Sequence, residues 1–175
     1  MDEIRDRIPA YAKDLSLNLA NVLAPDPAAG ASGALTDAQR WGVALACAAA
    51  TEHAALRESI ARETARIAGD AVVEDARAAA ALMAMNNVYY RFRHVIGKES
   101  YLQRPARLRM TRIAKPSSDK ATFELMCLAV SAIHGCEACM RSHEASVVAA
   151  GLGEDAVHDA VRIAATIRGV AAALA

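Results

Sequence analysis

The sequence predicts an all-α protein, and both its composition and its helix-ending residues point to this class. Hydrophobic residues make up 54% of the 175 residues, while aromatic residues make up only 4%. Alanine, which has the highest helix propensity, is the most common of the apolar residues, whereas sheets favour aromatic and β-branched side chains. A chain of this length fits one domain with a substantial core. We therefore expect a single helical domain over residues 1–175.

Proline, glycine and capping residues divide the chain into predicted helices. Proline in the first turn and Ser, Thr or Asp at the N-cap favour helix starts, and glycine favours helix ends. The predicted helices run from Pro9 to Leu23, from Thr36 or Asp37 to His53, onward to Gly69, from about Val73 to Arg91, from Ser117–Asp119 to Ile133, from Cys136 to Gly151–Gly153, and from Glu154 to the C-terminus. The stretch Pro25–Gly33 is predicted to be a loop.

The second half of the chain is predicted to repeat a helical unit of the first half. A shift that superimposes Gly151 on Gly69 also superimposes Asp119 on Asp37 and brings the helix breaks into the same order. The same shift places four residues of the second half, Glu124, Cys136, Cys139 and His143, opposite Gly42, Ala54, Arg57 and Ala61. If the unit is duplicated, only the second copy carries chemistry, within about residues 119–151.

Charge and hydropathy narrow the class of protein. The formal net charge is zero, which argues against a general nucleic-acid-binding protein. The stretch from Arg91 to Lys115 holds eight basic residues against Glu99 alone, and it is either a solvated face or a docking surface for an acidic partner. Because no signal peptide and no membrane-spanning run is evident, we expect a cytoplasmic protein without a membrane partner.

The run H-G-C-E-A-C-M-R-S-H-E, residues 134–144, holds the candidate site. Spacings of three and four residues place Cys136, Cys139 and His143 along one face of a helix. With Gly135 as the expected N-cap, both thiols lie near the positive end of the helix dipole, which favours the thiolate. The imidazole of His143 can accept the thiol proton, and Glu124 on the preceding helix can orient the ring. This arrangement indicates thiol redox chemistry.

Two other interpretations of the same residues remain open. Zinc needs four ligands, of which Cys136, Cys139 and His143 supply three, and the fourth would be Glu124, His134 or His158. Alternatively, both thiols are small apolar core residues. The remaining cysteines, Cys47 and Cys127, are predicted to be core residues. A second cluster, Met83, Met85, Tyr89 and Tyr90, is predicted to lie in the core rather than to line a channel to the site.

The chain resembles the alkylhydroperoxidase D (AhpD) family. The family motif is a glutamate, eleven residues, C-x-x-C, three residues and a histidine, and it is matched at every spacing by Glu124, Cys136, Cys139 and His143. Four further stretches resemble the family and extend the likeness over nearly the whole chain: P-A-Y-A-K-D-L-S-L-N-L, M-N-N-V-Y-Y-R, L-R-M-T-R-I-A-K-P and F-E-L-M-C-L-A-V-S-A-I-H-G-C.

The resemblance implies an all-helical homotrimer that reduces alkyl hydroperoxides and re-reduces an AhpC-type peroxiredoxin. It implies no bound cofactor, since electrons would come from the dihydrolipoyl group of a 2-oxoacid dehydrogenase acyltransferase. It also implies that Cys139 becomes the sulfenic acid and pairs with the peroxiredoxin. Cys136 would resolve the sulfenic acid as a redox disulfide and donate a proton, and His143 and Glu124 would form the proton relay.

One departure from the family concerns the two residues between the cysteines. Members of a mycobacterial type have a histidine immediately before the second cysteine, whereas this chain has Ala138, preceded by Glu137. A carboxylate between the thiols is expected to disfavour the thiolate.

Two alternatives to the peroxidase are a lyase similar to carboxymuconolactone decarboxylase, which needs no C-x-x-C, and a non-catalytic module stabilised by a metal.

Overall fold

The computed structural model describes residues 1–24 and 35–175. Within these residues the chain forms α-helices, one short 3₁₀ helix (Ala10–Ala12) and no β-strand. The helices are α1 (Asp2–Arg5), α2 (Lys13–Leu23), α3 (Asp37–Ala50), α4 (Ala54–Ala68), α5 (Asp70–Ile96), α6 (Glu99–Leu102), α7 (Thr111–Ala114), α8 (Lys120–His134), α9 (Glu137–Ala149) and α10 (Glu154–Ala173). The predicted all-α class is confirmed, and the predicted loop Pro25–Gly33 lies outside the described residues.

Helices α3 and α8 form the centre of the core. Every residue from 39 to 48 in α3 and from 122 to 131 in α8 is buried, because these helices pack against each other and are surrounded by α4, α5, α9 and α10. The largest buried side chains of the pair include Leu45, Phe123 and Met126. A helix that is apolar on all sides is typical of the centre of a protein, and the alanine-rich surfaces allow its neighbours to approach closely.

Most predicted helix boundaries agree with the structure to within a few residues. Thr36 accepts a hydrogen bond from the Gln39 backbone amide at 3.2 Å, and the Gln39 side chain accepts one from the Thr36 amide at 2.8 Å, which completes a capping box. Asp119 caps α8 through the Thr122 amide at 2.8 Å. Gly69, with φ 83°, ends α4 as predicted. The helix predicted from about Val73 begins earlier, at Asp70, and continues to Ile96.

Asp75 of the long helix α5 forms hydrogen bonds with the segment before α8. Its fully buried carboxylate accepts hydrogen bonds from the backbone amides of Ser117 and Ser118 at 2.9 and 2.7 Å, and from the Arg112 guanidinium at 3.0 Å. Burial raises the pKa of Asp75, but the hydrogen bonds from Ser118 and Ser117 and the Arg112 charge outweigh it, so that the pKa is lowered overall. Asp75 therefore positions α7 and the start of α8.

Helices of similar kinds follow one another in the two halves of the chain. A buried helix, an amphipathic helix and a third long helix follow one another as α3, α4 and α5, and again as α8, α9 and α10. The duplication and the single-domain boundary remain predictions. In the described part of the chain, no helix is both long and apolar enough to cross a membrane.

Candidate active site

The site begins at the two-residue junction between α8 and α9. The Gly135 amide donates to the Ala132 carbonyl at 3.2 Å, and the Cys136 amide donates to the Ser131 carbonyl at 3.1 Å. With Gly135 at φ 66°, this pattern is a Schellman motif that ends α8. Cys136, not Gly135, is the N-cap of α9, so the predicted N-cap is wrong by one residue. The left-handed conformation suits glycine, which explains why it closes the first helix rather than opening the second.

Cys136 and Cys139 are joined by a disulfide, with their Cα atoms 5.3 Å apart. Cys136 occupies the N-cap of α9 and Cys139 lies in the first turn, so both sulfurs are near unpaired backbone N–H groups, as the spacing predicts. Cys136 is completely buried, whereas Cys139 keeps a 6% exposed surface. The two sulfurs therefore differ in accessibility, and Cys139 is the one that a molecule from solvent reaches first.

His143 and Glu124 form a buried pair between α9 and α8. The His143 Nδ1 and Glu124 Oε2 atoms are 2.6 Å apart, and the other carboxylate oxygen is 2.5 Å from the Lys120 Nζ. Burial raises the pKa of Glu124, but the hydrogen bonds and charges of His143 and Lys120 outweigh it and lower that pKa overall. An ionised carboxylate only accepts hydrogen bonds, so Nδ1 carries the proton and Nε2 of a neutral ring can accept one.

A cavity of about 260 Å³ brings this pair and Cys139 together. Glu124, His143 and Cys139 all lie on its wall, and Cys136 lies behind Cys139. The structure therefore brings these four residues together, and their roles remain predictions. No metal site is formed from three or more His, Cys, Asp or Glu side chains in residues 1–24 and 35–175. His134, named as a possible fourth zinc ligand, is instead 3.0 Å from the Asn87 amide nitrogen.

Four wall residues come from parts of the chain that sequence reasoning did not connect with the site. They are Asn86 and Tyr90 of α5, and Met110 and Ile113 near α7. Met83 is buried as predicted, but the core prediction is wrong for Met85, Tyr89 and Tyr90, which are only partly buried, and Tyr90 lines the cavity. For Asn86 a signal was available in M-N-N-V-Y-Y-R, since asparagine is unfavourable inside a helix.

The residues between the cysteines differ in orientation. The Glu137 carboxylate is half exposed and contacts Arg141 at 2.8 Å and His94 at 3.4 Å. Its hydrogen bond with Arg141, together with the nearby charges of Arg141 and His94, lowers the pKa of Glu137. Because this charge is paired at the surface, its expected repulsion of a thiolate is weakened. Ala138 lines the cavity.

Cys47 and Cys127 are buried in α3 and α8, as predicted. Burial raises the pKa of both thiols, so neither is a reactive thiolate at neutral pH. Of the four cysteines, only the pair at the start of α9 therefore remains a candidate for thiol redox chemistry.

Comparison with known proteins identifies the family. A sequence model of the Carboxymuconolactone decarboxylase family matches residues 99–175. The chain is 56% identical to an alkyl hydroperoxide reductase AhpD of Anaeromyxobacter dehalogenans (strain 2CP-C), over 99% of this chain and 90% of the relative. It is 46% identical to that of Solibacter usitatus (99% and 94%) and 43% identical to that of Coxiella burnetii strain RSA 331 / Henzerling II (95% and 92%). The chain therefore belongs to the alkyl hydroperoxide reductase AhpD family.

Proposed function

We propose that this protein is a cytoplasmic, lipoyl-dependent alkyl hydroperoxide reductase that also re-reduces an AhpC-type peroxiredoxin. The observation that carries the proposal is the cavity wall shared by Cys139, His143 and Glu124, with Cys136 in disulfide reach. The relatives' name, alkyl hydroperoxide reductase AhpD, supports the same activity. Tyr90, Met110 and Ile113 make much of the cavity wall apolar, which suits the alkyl part of an organic hydroperoxide.

The oxidative half-reaction uses the four site residues in sequence. His143, oriented by Glu124, takes the Cys139 proton, and the thiolate attacks the terminal oxygen of the hydroperoxide. A sulfur–oxygen bond forms and the oxygen–oxygen bond breaks, and the alkoxide takes the Cys136 proton to become an alcohol. The Cys136 thiolate then attacks the sulfenic sulfur, and the displaced hydroxide takes the His143 proton to form water. The products are an alcohol, water and the disulfide.

The reductive half-reaction is thiol–disulfide exchange. A dihydrolipoyl dithiol on a 2-oxoacid dehydrogenase acyltransferase supplies two electrons and two protons and becomes a cyclic disulfide. The protein needs no bound cofactor in this scheme. Reduced protein passes electrons to the peroxiredoxin in the same way, with Cys139 forming the mixed disulfide because it is the accessible sulfur. The exposed basic residues Arg107, Arg109 and Lys115, next to the cavity-wall residues of α7, support docking of an acidic partner.

The homotrimer is also a proposal, supported by an apolar stripe on α5. Val88, Phe92 and Val95 are 62%, 46% and 73% exposed and lie on one face of the helix, and Tyr101 of α6 contacts Phe92. An apolar stripe of this kind on a protein surface is typical of an interface. A molar mass of three chains, measured by light scattering, is the expected result, and a mass of one chain would contradict it.

Reconstitution tests the activity. The assay contains the protein, a lipoylated acyltransferase, dihydrolipoamide dehydrogenase, NADH and tert-butyl hydroperoxide. We expect NADH consumption that depends on hydroperoxide, and no turnover in Cys139→Ser. The buried cysteine of the first helical unit provides the matched control, because Cys47→Ala removes a thiol without touching the site. Full turnover in Cys139→Ser would contradict the assigned role, and no turnover in the unaltered protein would contradict the proposed electron donor.

The match to the Carboxymuconolactone decarboxylase family supports one alternative, a lyase acting on a lactone. The two functions differ in whether they need the cysteines. A lyase would keep its activity on a lactone after both Cys136 and Cys139 are replaced by serine, whereas the peroxidase would lose all activity.

A further inference from the structure

Two adjacent asparagines in the middle of α5 have very different surroundings. Asn87 is 1% exposed, and its amide group lies 3.1 Å from the Ser131 hydroxyl and 3.0 Å from the His134 ring, so both ends have partners. Asn86 is 4% exposed, and its Nδ2 donates to the Met110 sulfur at 3.0 Å. The Asn86 Oδ1 is buried, and among residues 1–24 and 35–175 it has no hydrogen-bond partner.

The isolation of Asn86 does not depend on which way its amide group is turned. A thioether is a weak acceptor and no donor, so rotating the amide leaves a buried N–H group without a partner in place of the oxygen. An unpartnered buried amide atom destabilises a fold, and asparagine is also unfavourable inside a helix. In many proteins, a buried residue that violates both helix propensity and hydrogen-bond pairing belongs to a functional site. Packing therefore does not explain this side chain.

Asn86 lies on the wall of the cavity that contains Cys139 and His143. Tyr90 and Ile113 supply apolar surface to the same wall, and the Asn86 amide is one of a few polar groups on it, with Glu124, Ser142, His143 and Ser146. Binding cavities commonly combine apolar walls with a few polar groups that fix the ligand's orientation. A hydroperoxide group carries one O–H donor on its terminal oxygen and accepts hydrogen bonds at both oxygens. Its hydrogen-bonding capacity complements that of a primary amide.

We propose that Asn86 binds the hydroperoxide group of the substrate, an inference that rests on the proposed peroxidase function. Its Oδ1 accepts the hydrogen bond of the terminal O–H and holds that oxygen towards Cys139. Its Nδ2 leaves the Met110 sulfur and donates to the alkyl-bearing oxygen, on which negative charge develops as the oxygen–oxygen bond breaks. Met110 is a flexible side chain and can move aside for the substrate.

Asn86→Leu tests the proposal, because leucine has nearly the shape of asparagine without its polar atoms. Reduced full-length protein is mixed with tert-butyl hydroperoxide, and disulfide formation is followed by rapid quenching and mass spectrometry. We expect the second-order rate constant to fall roughly 10-fold to 100-fold, the effect of losing one or two preorganised hydrogen bonds. Reduction of the disulfide by dihydrolipoamide should keep its rate, because no hydroperoxide takes part.

Thermal stability separates this role from a structural one. Asn86→Leu removes an unpartnered oxygen and should leave the melting temperature unchanged or raise it. The matched variant Asn87→Leu removes the contacts to Ser131 and His134 and should lower the melting temperature. A fall in melting temperature for Asn86→Leu, with both half-reactions slowed equally, would overturn the proposal. Asn86→Ala serves as the second variant if leucine does not fit, with the same split between half-reactions expected.

The outcome for Asn86 is distinguishable from the outcome for the function as a whole. If the unaltered protein is oxidised by tert-butyl hydroperoxide and Asn86→Leu reacts at the same rate, the role of Asn86 is overturned and the peroxidase stands. If the unaltered protein is not oxidised at all, the peroxidase function fails, and the role of Asn86 fails with it.

Discussion

The helix pair α8–α9 carries the site, whereas the helix pair α3–α4, its counterpart in the predicted repeat, only packs. Both pairs place one almost fully buried helix at the centre and follow it with an amphipathic helix. At the position of Glu124 the first pair has Gly42, and a Cβ atom there would collide with Met126 Cε and lie 2.9 Å from Val72 Cγ1. The space that holds a carboxylate in one pair is filled by a neighbouring side chain in the other.

The comparison teaches that the helix pair alone does not make a site. Both pairs line a cavity of similar volume, but at the second pair α5 and the segment around α7 bring Asn86, Tyr90, Met110 and Ile113 to the wall that also holds Cys139 and His143. The hydrogen bonds between Asp75 and the segment before α8 hold α7 in place. Lys120 contacts both the Ile113 carbonyl, at 2.6 Å, and Glu124. The proposed chemistry of the second pair therefore depends on the segment before α8, which forms part of the cavity wall.

Removal of Glu124 should have the largest effect, because it makes the second pair resemble the first. In Glu124→Ala the His143 ring loses its orienting partner, and we expect the oxidation of reduced protein by hydroperoxide to slow about 10²-fold to 10⁴-fold. Glu124→Gln keeps an acceptor for Nδ1–H and should lose less. Arg57→Ala, opposite Cys139 in the repeat, serves as the control and should react normally. Rapid-quench kinetics measures the oxidation rate of all three variants. An unchanged rate in Glu124→Ala would contradict the expectation that Glu124 distinguishes the second helix pair from the first.

The starts of the two central helices should differ in their contribution to stability. Asp75→Ala removes the acceptor of the Ser117 and Ser118 amides and one of the two carboxylates that Arg112 contacts. Because several hydrogen bonds to a charged group are lost together, we expect it to lower the free energy of unfolding by about 3–5 kcal/mol. Thr36→Ala, which removes the capping box of α3, should cost about 1 kcal/mol. Urea unfolding at pH 7 measures both free energies. Equal losses would contradict the expectation that Asp75 contributes more to stability than the capping box of α3.

The Asp75 contribution should also depend on pH. Because the pKa of Asp75 is lower in the folded state than in the unfolded chain, its stabilisation is complete above the ordinary aspartate pKa. It is lost as the pH falls below that value through the lowered folded pKa. The stability curves of Asp75→Ala and the unaltered protein should therefore converge in acid. A constant separation down to acid denaturation would contradict this assignment.

The turns that join the helices of each pair should give the smallest and opposite effects. Gly135, at φ 66°, joins α8 to α9, and Glu52, at φ 61°, lies between α3 and α4. A side chain in this conformation costs about 1–2 kcal/mol, so Gly135→Ala should destabilise and Glu52→Gly should stabilise, each by about 1 kcal/mol. Gly153→Ala, at φ −78°, is the control and should change stability little. The same sign for both turn variants in urea unfolding would contradict the argument.

Local sequence signals predict much of the helical framework and the four residues of the relay. Caps at Thr36 and Asp119 and the glycine at Gly69 are local signals, and each one is where the sequence predicts it. Helical spacing also predicts that Cys136, Cys139 and His143 share a face. The N-cap assignment is off by one, because in a two-residue junction glycine can either end one helix or begin the next, and only the backbone conformation distinguishes these cases.

The sequence by itself determined the all-α class, the dithiol at the start of a helix and the glutamate one helix earlier. These properties depend on helix propensity and on spacings of three and four residues, which act over short distances. Tertiary structure alone decided which cysteine is accessible and that residues near α7 close the cavity. It also decided that Asn86 lies on the same cavity wall as Cys139 with its Oδ1 unpaired among the described residues. These properties depend on how helices far apart in the chain pack against each other, and no local pattern specifies that packing.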